Sequence, residues 1–92
     1  MTEQLTIQRE EQSTEIKKEP SKKLIVYNDY VNTFDWVIKA LVEICKHDET
    51  QAEQSSLMIH HKGKYAVKVG SLKDLKPMKE GILDRGINAT ID

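Results

Sequence analysis

The sequence of 92 residues predicts a single compact two-layer α/β (α+β) domain of order β-α-α-β-α-β, with a three-stranded antiparallel sheet packed against helices. Three observations predict it. Leu24-Ile25-Val26-Tyr27 is a β-branched and aromatic run of strand length that stops at the turn formers Asn28-Asp29. Tyr65, Val67 and Val69 alternate with Ala66 and Lys68, and Ile87, Ala89 and Ile91 alternate near the end, the period of two expected of half-buried strands. The intervening stretches carry apolar residues at helical spacing. Strands this short need cover, and helices laid on one face of the sheet supply it.

Taken in order, residues 1 to 23 hold few apolar side chains, many Glu, Gln and Lys, and Pro20, which suits a flexible, solvated N-terminal extension; the domain proper is read as 24 to 92. The first strand leads into a loop. Asn32 is read as the N-cap of a first helix, roughly 33 to 46, in which Val37, Ile38, Leu41, Ile44 and Cys45 recur at helical spacing. His47-Asp48 interrupts it. Asp48 caps a second helix, with Gln51 at the capping-box position, running to about His61, and Gly63 suits its C-terminal cap. After the second strand, Gly70-Ser71 opens another helical pattern with Leu75, Met78, Ile82 and Leu83 as the apolar face. Pro77 is expected to split it into a turn at 72 to 75 and a new helix with the proline in its first turn, because proline inside a helix costs about 3 kcal/mol. Gly86 caps that helix.

Composition removes several function classes. A chain this short holds one domain. Its 14 basic and 15 acidic side chains give a formal charge of -1, no field for phosphate backbones, so nucleic acid is not expected as a partner. The longest apolar run falls far short of the roughly 20 residues that span a bilayer, and no apolar signal segment opens the chain, so a soluble cytoplasmic protein is expected. Cys45 has no second thiol to pair with, and on the apolar stripe of the first helix it reads as a small hydrophobe. No nucleophile triad or Gly-rich phosphate loop is recognisable, and the expectation is a protein without catalytic activity.

Two polar clusters stand at the edges of apolar segments: Asn28-Asp29 after the first strand and His60-His61 before Gly63. Brought together, acceptors and an imidazole beside apolar side chains hold a positively charged amine, with an apolar slot for whatever the amine is attached to. Each cluster has a plainer reading. Asn28-Asp29 also serves as a turn that binds its own backbone amides, and either histidine as a partly buried cap. Adjacent helical residues point roughly 100° apart, so His60 and His61 do not both face one pocket. A zinc site needs three or four ligands, and His60, His61 and Asp29 have no recognised spacing, so neither metal nor cofactor is expected.

The segments Val26-Tyr27-Asn28-Asp29, Asn32-Thr33-Phe34-Asp35-Trp36-Val37-Ile38, Ala52-Glu53-Gln54 and Met58-Ile59-His60-His61-Lys62-Gly63-Lys64 resemble the ClpS family of adaptor proteins. The resemblance covers about residues 24 to 92, without a gap from Leu24 through Lys64. It implies the ClpS-like fold and a function: recognition of N-degron substrates, with a free α-amine and a bulky hydrophobic first residue, and their delivery to a Clp-type AAA+ unfoldase with its peptidase. It places Asn28, Asp29 and His60 at the substrate α-amine, Asn32 against the substrate backbone, and Phe34, Val37, Ser56, Ile59 and Ile87 around the hydrophobic pocket. Ile87 is expected from the last strand. The resemblance also gives the N-terminal extension a part in substrate hand-over; a solubilising tail is the simpler alternative.

Several positions depart from the family pattern. Tyr30 stands where a second acid is common, Thr33-Phe34 replace a Pro-Met pair, and Ser56 takes the place of a pocket methionine. The stretch Ser71 to Lys79 departs from the usual unfoldase-docking surface, so docking residues are not assigned. The expected state is a monomer without cofactor. The alternative function is a regulator that docks on the Clp unfoldase and redirects its substrate choice without binding N-terminal residues.

Overall fold

A computed structural model describes residues 21–92, so the expected extension lies almost wholly outside the described residues. The elements are β1 (Lys22–Tyr27), α1 (Phe34–Cys45), α2 (Glu49–Lys62), β2 (Lys64–Gly70), α3 (Leu72–Asp84) and β3 (Ala89–Ile91). The β-α-α-β-α-β order is as the sequence predicts. The first strand starts at Lys22, two residues before the boundary read from composition.

β1 is the middle strand of an antiparallel sheet of order β2-β1-β3. Its central position explains why Leu24, Ile25 and Val26 are all buried, although alternation sends Ile25 to the opposite face from its neighbours. On that opposite face Ile25 pairs with Thr90, and the Tyr27 hydroxyl shares a 2.9 Å hydrogen bond with Thr90 Oγ1 across the β1–β3 pair. The β1–β2 register shifts between Leu24 and Ile25, which face Lys68 and Ala66, so Val67 is a bulge residue opposite no partner. His47, read from sequence only as a helix break, is 3% exposed and places Nε2 2.8 Å from the Val67 carbonyl. A carbonyl only accepts, so Nε2 is the nitrogen that carries hydrogen. Nδ1 is buried and unpartnered among the described residues.

The core joins Leu24 and Val26 of the sheet to Ala40, Leu41 and Cys45 of α1, Ala52 and Ile59 of α2, and Leu75 and Ile82 of α3. Each fully buried Leu or Ile contributes about 1.5–3 kcal/mol relative to exposure. The caps follow the sequence with one correction: the N-cap of α1 is Thr33, whose side chain accepts from Trp36 N, and Asn32 is released for other contacts. Asp48 accepts from Gln51 N, and Gly63 takes φ 87° at the end of α2, as expected.

Pro77 does not divide α3. Ser71 accepts from Asp74 N, and its carbonyl accepts from Leu75 N, so the first turn is sealed and the helix runs on through the proline. Burial of Leu75 and Ile82 on one face offsets the single backbone bond that Pro77 cannot make. Leu83 is a second correction, being exposed rather than on the core face. Arg85 is the last helical cap, with Gly86 at φ 79° beyond it and Ile87 N returning to the Ile82 carbonyl, a Schellman closure. Gly81 lets α3 approach α1: a Cβ there would meet two Ile44 carbons at 3.2 Å.

Candidate functional site

The end of β1, the loop it enters and the C-terminal half of α2 converge because the Asn28 amide donates to the Gly63 carbonyl at 2.9 Å. That bond sets the turn after β1 beside the last turn of α2. Phe34 and Val37 share a face of α1 at i, i+3, and Ser56, Ile59 and His60 share a face of α2 at i, i+3, i+4. Between these two faces lies an open cavity of about 240 Å3. Tyr27, Asn28, Asp29, Tyr30, Asn32 and Thr33 line it from the strand and loop side. It is smaller than the roughly 300–1,000 Å3 of pockets that take drug-sized ligands.

Most of the predicted residues meet here. Asn28, Asp29, Asn32, Phe34, Val37, Ser56, Ile59 and His60 all line the cavity. Ile87 does not. It sits in the turn between α3 and β3, ahead of the strand rather than on it, and is buried in the core. His60 faces the cavity while His61 stays outside the lining, as their angular separation requires. The imidazole of His60 packs against Phe34 with ring centroids 5.3 Å apart, and the His61 ring lies edge-on to it at 5.4 Å.

Asp29 is held by its own loop. Oδ1 accepts from the amides of Val31 and Asn32, both at 2.8 Å, and Oδ2 accepts from Asn32 Nδ2 at 2.8 Å. Donation from the Asn32 backbone amide, above all, keeps the carboxyl below its ordinary pKa of 3.8 against the opposing effect of desolvation, so the group carries its charge near neutrality. A carboxylate has about four lone-pair positions, and three are used, which leaves Oδ2 free to accept one more donor. The turn reading of Asn28-Asp29 is realised at Asp29, which also lines the cavity.

Asn32 is a strut as much as a contact. Its Nδ2 hydrogens go to Asp29 Oδ2 and to the Gly86 carbonyl, the latter at 3.0 Å, so only its side-chain oxygen remains for a ligand. Sequence reasoning missed the second anchor beside it. Trp36 Nε1 donates to the Arg85 carbonyl at 2.9 Å, the Arg85 guanidinium lies 5.6 Å from the Trp36 ring centroid, and Arg85 pairs with Glu43 at 2.7 Å. These contacts fasten α1, through Trp36 in its first turn and Glu43 in its last, to the end of α3. Tyr27, Tyr30 and Thr33 were also missed as lining residues. Thr33 carried a signal, since Thr-Phe-Asp-Trp fits a threonine cap as well as Asn32 does.

One carboxylate, two amide oxygens and an imidazole stand at the mouth, and Phe34, Val37 and Ile59 form an apolar wall. No group of three or more His, Cys, Asp or Glu among the described residues is placed to hold a metal ion, and no described helix is long and apolar enough to cross a membrane.

A helix-covered three-stranded antiparallel sheet, with an open cavity lined by both polar and apolar side chains, defines a small α+β domain. The chain belongs to the ClpS family: residues 17–90 match the family described as ATP-dependent Clp protease adaptor protein ClpS. The ATP-dependent Clp protease adapter protein ClpS of Shewanella pealeana is 40% identical over 63 residues, covering 68% of this chain and 62% of that protein. Its counterpart in Shewanella halifaxensis is 45% identical over 60 residues, covering 63% and 59%. The matched region thus spans about three-fifths of these relatives. Among solved structures, Agrobacterium tumefaciens ClpS2 bound to L-phenylalaninamide superposes with a TM-score of 0.77 at 16% identity, over 82% of this chain and 98% of that one, a likeness of fold.

Proposed function

We propose that this protein is a non-catalytic adaptor: it holds the first residue of N-degron substrates by the free α-amine and a bulky hydrophobic side chain, and passes them to a Clp-type AAA+ unfoldase and its peptidase. The observation that carries the reading is the cavity's division into a charged, acceptor-rich mouth and an apolar interior. An α-ammonium offers three donors and a charge. The free lone pair of Asp29, the Asn28 amide oxygen and an unprotonated His60 nitrogen supply three acceptors for it, and charge-assisted bonds of this kind are the stronger sort. An acetylated terminus has neither the charge nor the three donors.

Burying a Leu or aromatic first side chain against Phe34, Val37 and Ile59 contributes about 2–3 kcal/mol. The ligand held by the Agrobacterium relative, L-phenylalaninamide, joins a free amine to a benzyl group, the same two chemistries. The cavity is open rather than filled by the chain's own side chains, which favours this reading over a regulator that leaves N-terminal residues alone. The protein is taken to act as a soluble cytoplasmic monomer without metal or cofactor.

Fluorescence anisotropy with labelled peptides that differ only in residue one tests this. Binding of Phe and Leu peptides, with neither Arg nor acetyl-Phe bound, is the expected outcome. Equal binding of Phe and acetyl-Phe contradicts the amine half of the site, and binding of none contradicts both halves.

A further inference from the structure

Ser56 is the polar residue in the otherwise apolar part of the cavity wall, and its hydroxyl is unused. The residue is 2% exposed, it lines the cavity, and its Oγ is shielded from water without a partner among the described residues. A serine inside a helix usually turns its hydroxyl to the carbonyl four residues back, and this one does not. A buried hydroxyl left unpaired is unfavourable, so a ligand group able to pair with it gains what an apolar ligand does not.

The depth of Ser56 says which group. It lies four residues before His60 on the same face of α2, and at 1.5 Å rise per residue this puts it about 6 Å further along the helix. If the α-amine is held at His60 and Asp29, Ser56 stands where the far end of a six-membered ring arrives. Pairing with a ligand requires Oγ to turn about χ1 from this shielded position toward the cavity.

We propose that Ser56 is a specificity-determining residue that makes this cavity prefer tyrosine over phenylalanine as the first residue, through a hydrogen bond between Oγ and the phenolic hydroxyl; the inference rests on the amine-and-side-chain reading given above. Both hydroxyls donate and accept, so the pair is satisfied in either direction. Phenylalanine fills the same volume and leaves Oγ unpaired. A wholly apolar pocket has the opposite preference, because it strips water from the phenol and returns nothing. The sign of the Tyr/Phe ratio therefore reports on Ser56, and sites that hydrogen-bond a ligand hydroxyl discriminate well against the analogue that lacks it.

The test measures affinity of the full chain for peptides identical except for Tyr, Phe or Leu at residue one, in wild type and in Ser56→Ala. The expected result is about tenfold tighter binding of Tyr than Phe in wild type, the ratio that corresponds to about 1.4 kcal/mol, falling to one or below in Ser56→Ala. Phe bound as tightly as Tyr by wild type overturns the proposal while leaving the site standing, since Phe and Leu still bind. A Tyr preference that survives Ser56→Ala also overturns it, because the preference then comes from elsewhere. Failure of wild type to bind any of the three peptides removes the underlying reading, and the proposal with it. Should Ser56→Ala not fold, Ser56→Cys, which keeps the volume but pairs only weakly with a phenol, is read in the same way, and a wild-type ratio of one or below overturns the proposal by itself.

Discussion

Asn32 Nδ2 donates to Asp29 Oδ2 at 2.8 Å, and the same nitrogen reaches the Gly86 carbonyl at 3.0 Å. One amide therefore ties the carboxylate at the cavity mouth to the turn that follows α3. Asn32→Ala removes the tie while the backbone donors to Asp29 remain. It is expected to weaken binding of a free-amine peptide by about 1–2 kcal/mol and to move the Asp29 pKa back up toward 3.8. The folded-state value is depressed, so the Asp29 contribution to loop order is fully present above 3.8 and is lost as pH falls through the folded value. An NMR titration of the Asp29 carboxyl carbon in both proteins reads the shift.

His60 is exposed and makes its contacts with Phe34 and His61, so its removal leaves the core untouched. His60→Ala is expected to weaken peptide binding by about 1–3 kcal/mol at unchanged thermal stability. Asp29→Ala is expected to lose binding as well and, in addition, to loosen residues 29–32, whose amides the carboxylate organises. Anisotropy titrations beside thermal melts separate the two effects.

His47 couples the α1–α2 turn to the bulge in β2 through its 2.8 Å contact with the Val67 carbonyl. His47→Ala leaves a buried carbonyl without a donor and a void beside it. The expected loss is about 2–4 kcal/mol of folding stability, measured by urea denaturation. His47→Ala is expected to bind peptides as wild type does at temperatures where it is folded.

Cys45 is fully buried on α1, and desolvation raises its thiol pKa to about 11, with Lys68 pulling weakly the other way. The thiolate is the reactive form, so labelling by a thiol reagent at pH 8 is expected to be slow and limited by opening of the structure. Mild denaturant accelerates it in step with unfolding. Rapid stoichiometric labelling of the native protein contradicts this placement.

The strands and helices were legible because each has its own local signal: the β-branched run ending at Asn28, the Asp48 cap, and Gly63 at its left-handed turn. Pro77 misled because the helix penalty is local, whereas the burial of Leu75 and Ile82 that offsets it is tertiary. Thr33 and Asn32 compete for one cap, and the choice is decided by Asp29 and Gly86, partners that a linear reading does not bring to Asn32 together. The same holds for Ile87, whose turn sends it into the core, and for His47, whose partner is a bulge carbonyl 20 residues away. The cavity's composition was legible through Asn28, Asp29, His60 and the α1 and α2 faces. The turn reading of Asn28-Asp29 already placed loop amides on Asp29; what local patterns did not carry was the tie from Asn32 Nδ2 to the Gly86 carbonyl, 54 residues away.

The most direct measurement is an NMR titration of 15N-labelled protein with L-phenylalaninamide, with N-acetyl-L-phenylalaninamide as control. Saturable shifts for the free-amine compound are expected at Asn28, Asp29, Val37, Ser56, Ile59 and His60, with none of comparable size for the acetylated one. Shifts elsewhere on the domain, or equal shifts from both compounds, would contradict a cavity that grips an N-terminal residue by its amine.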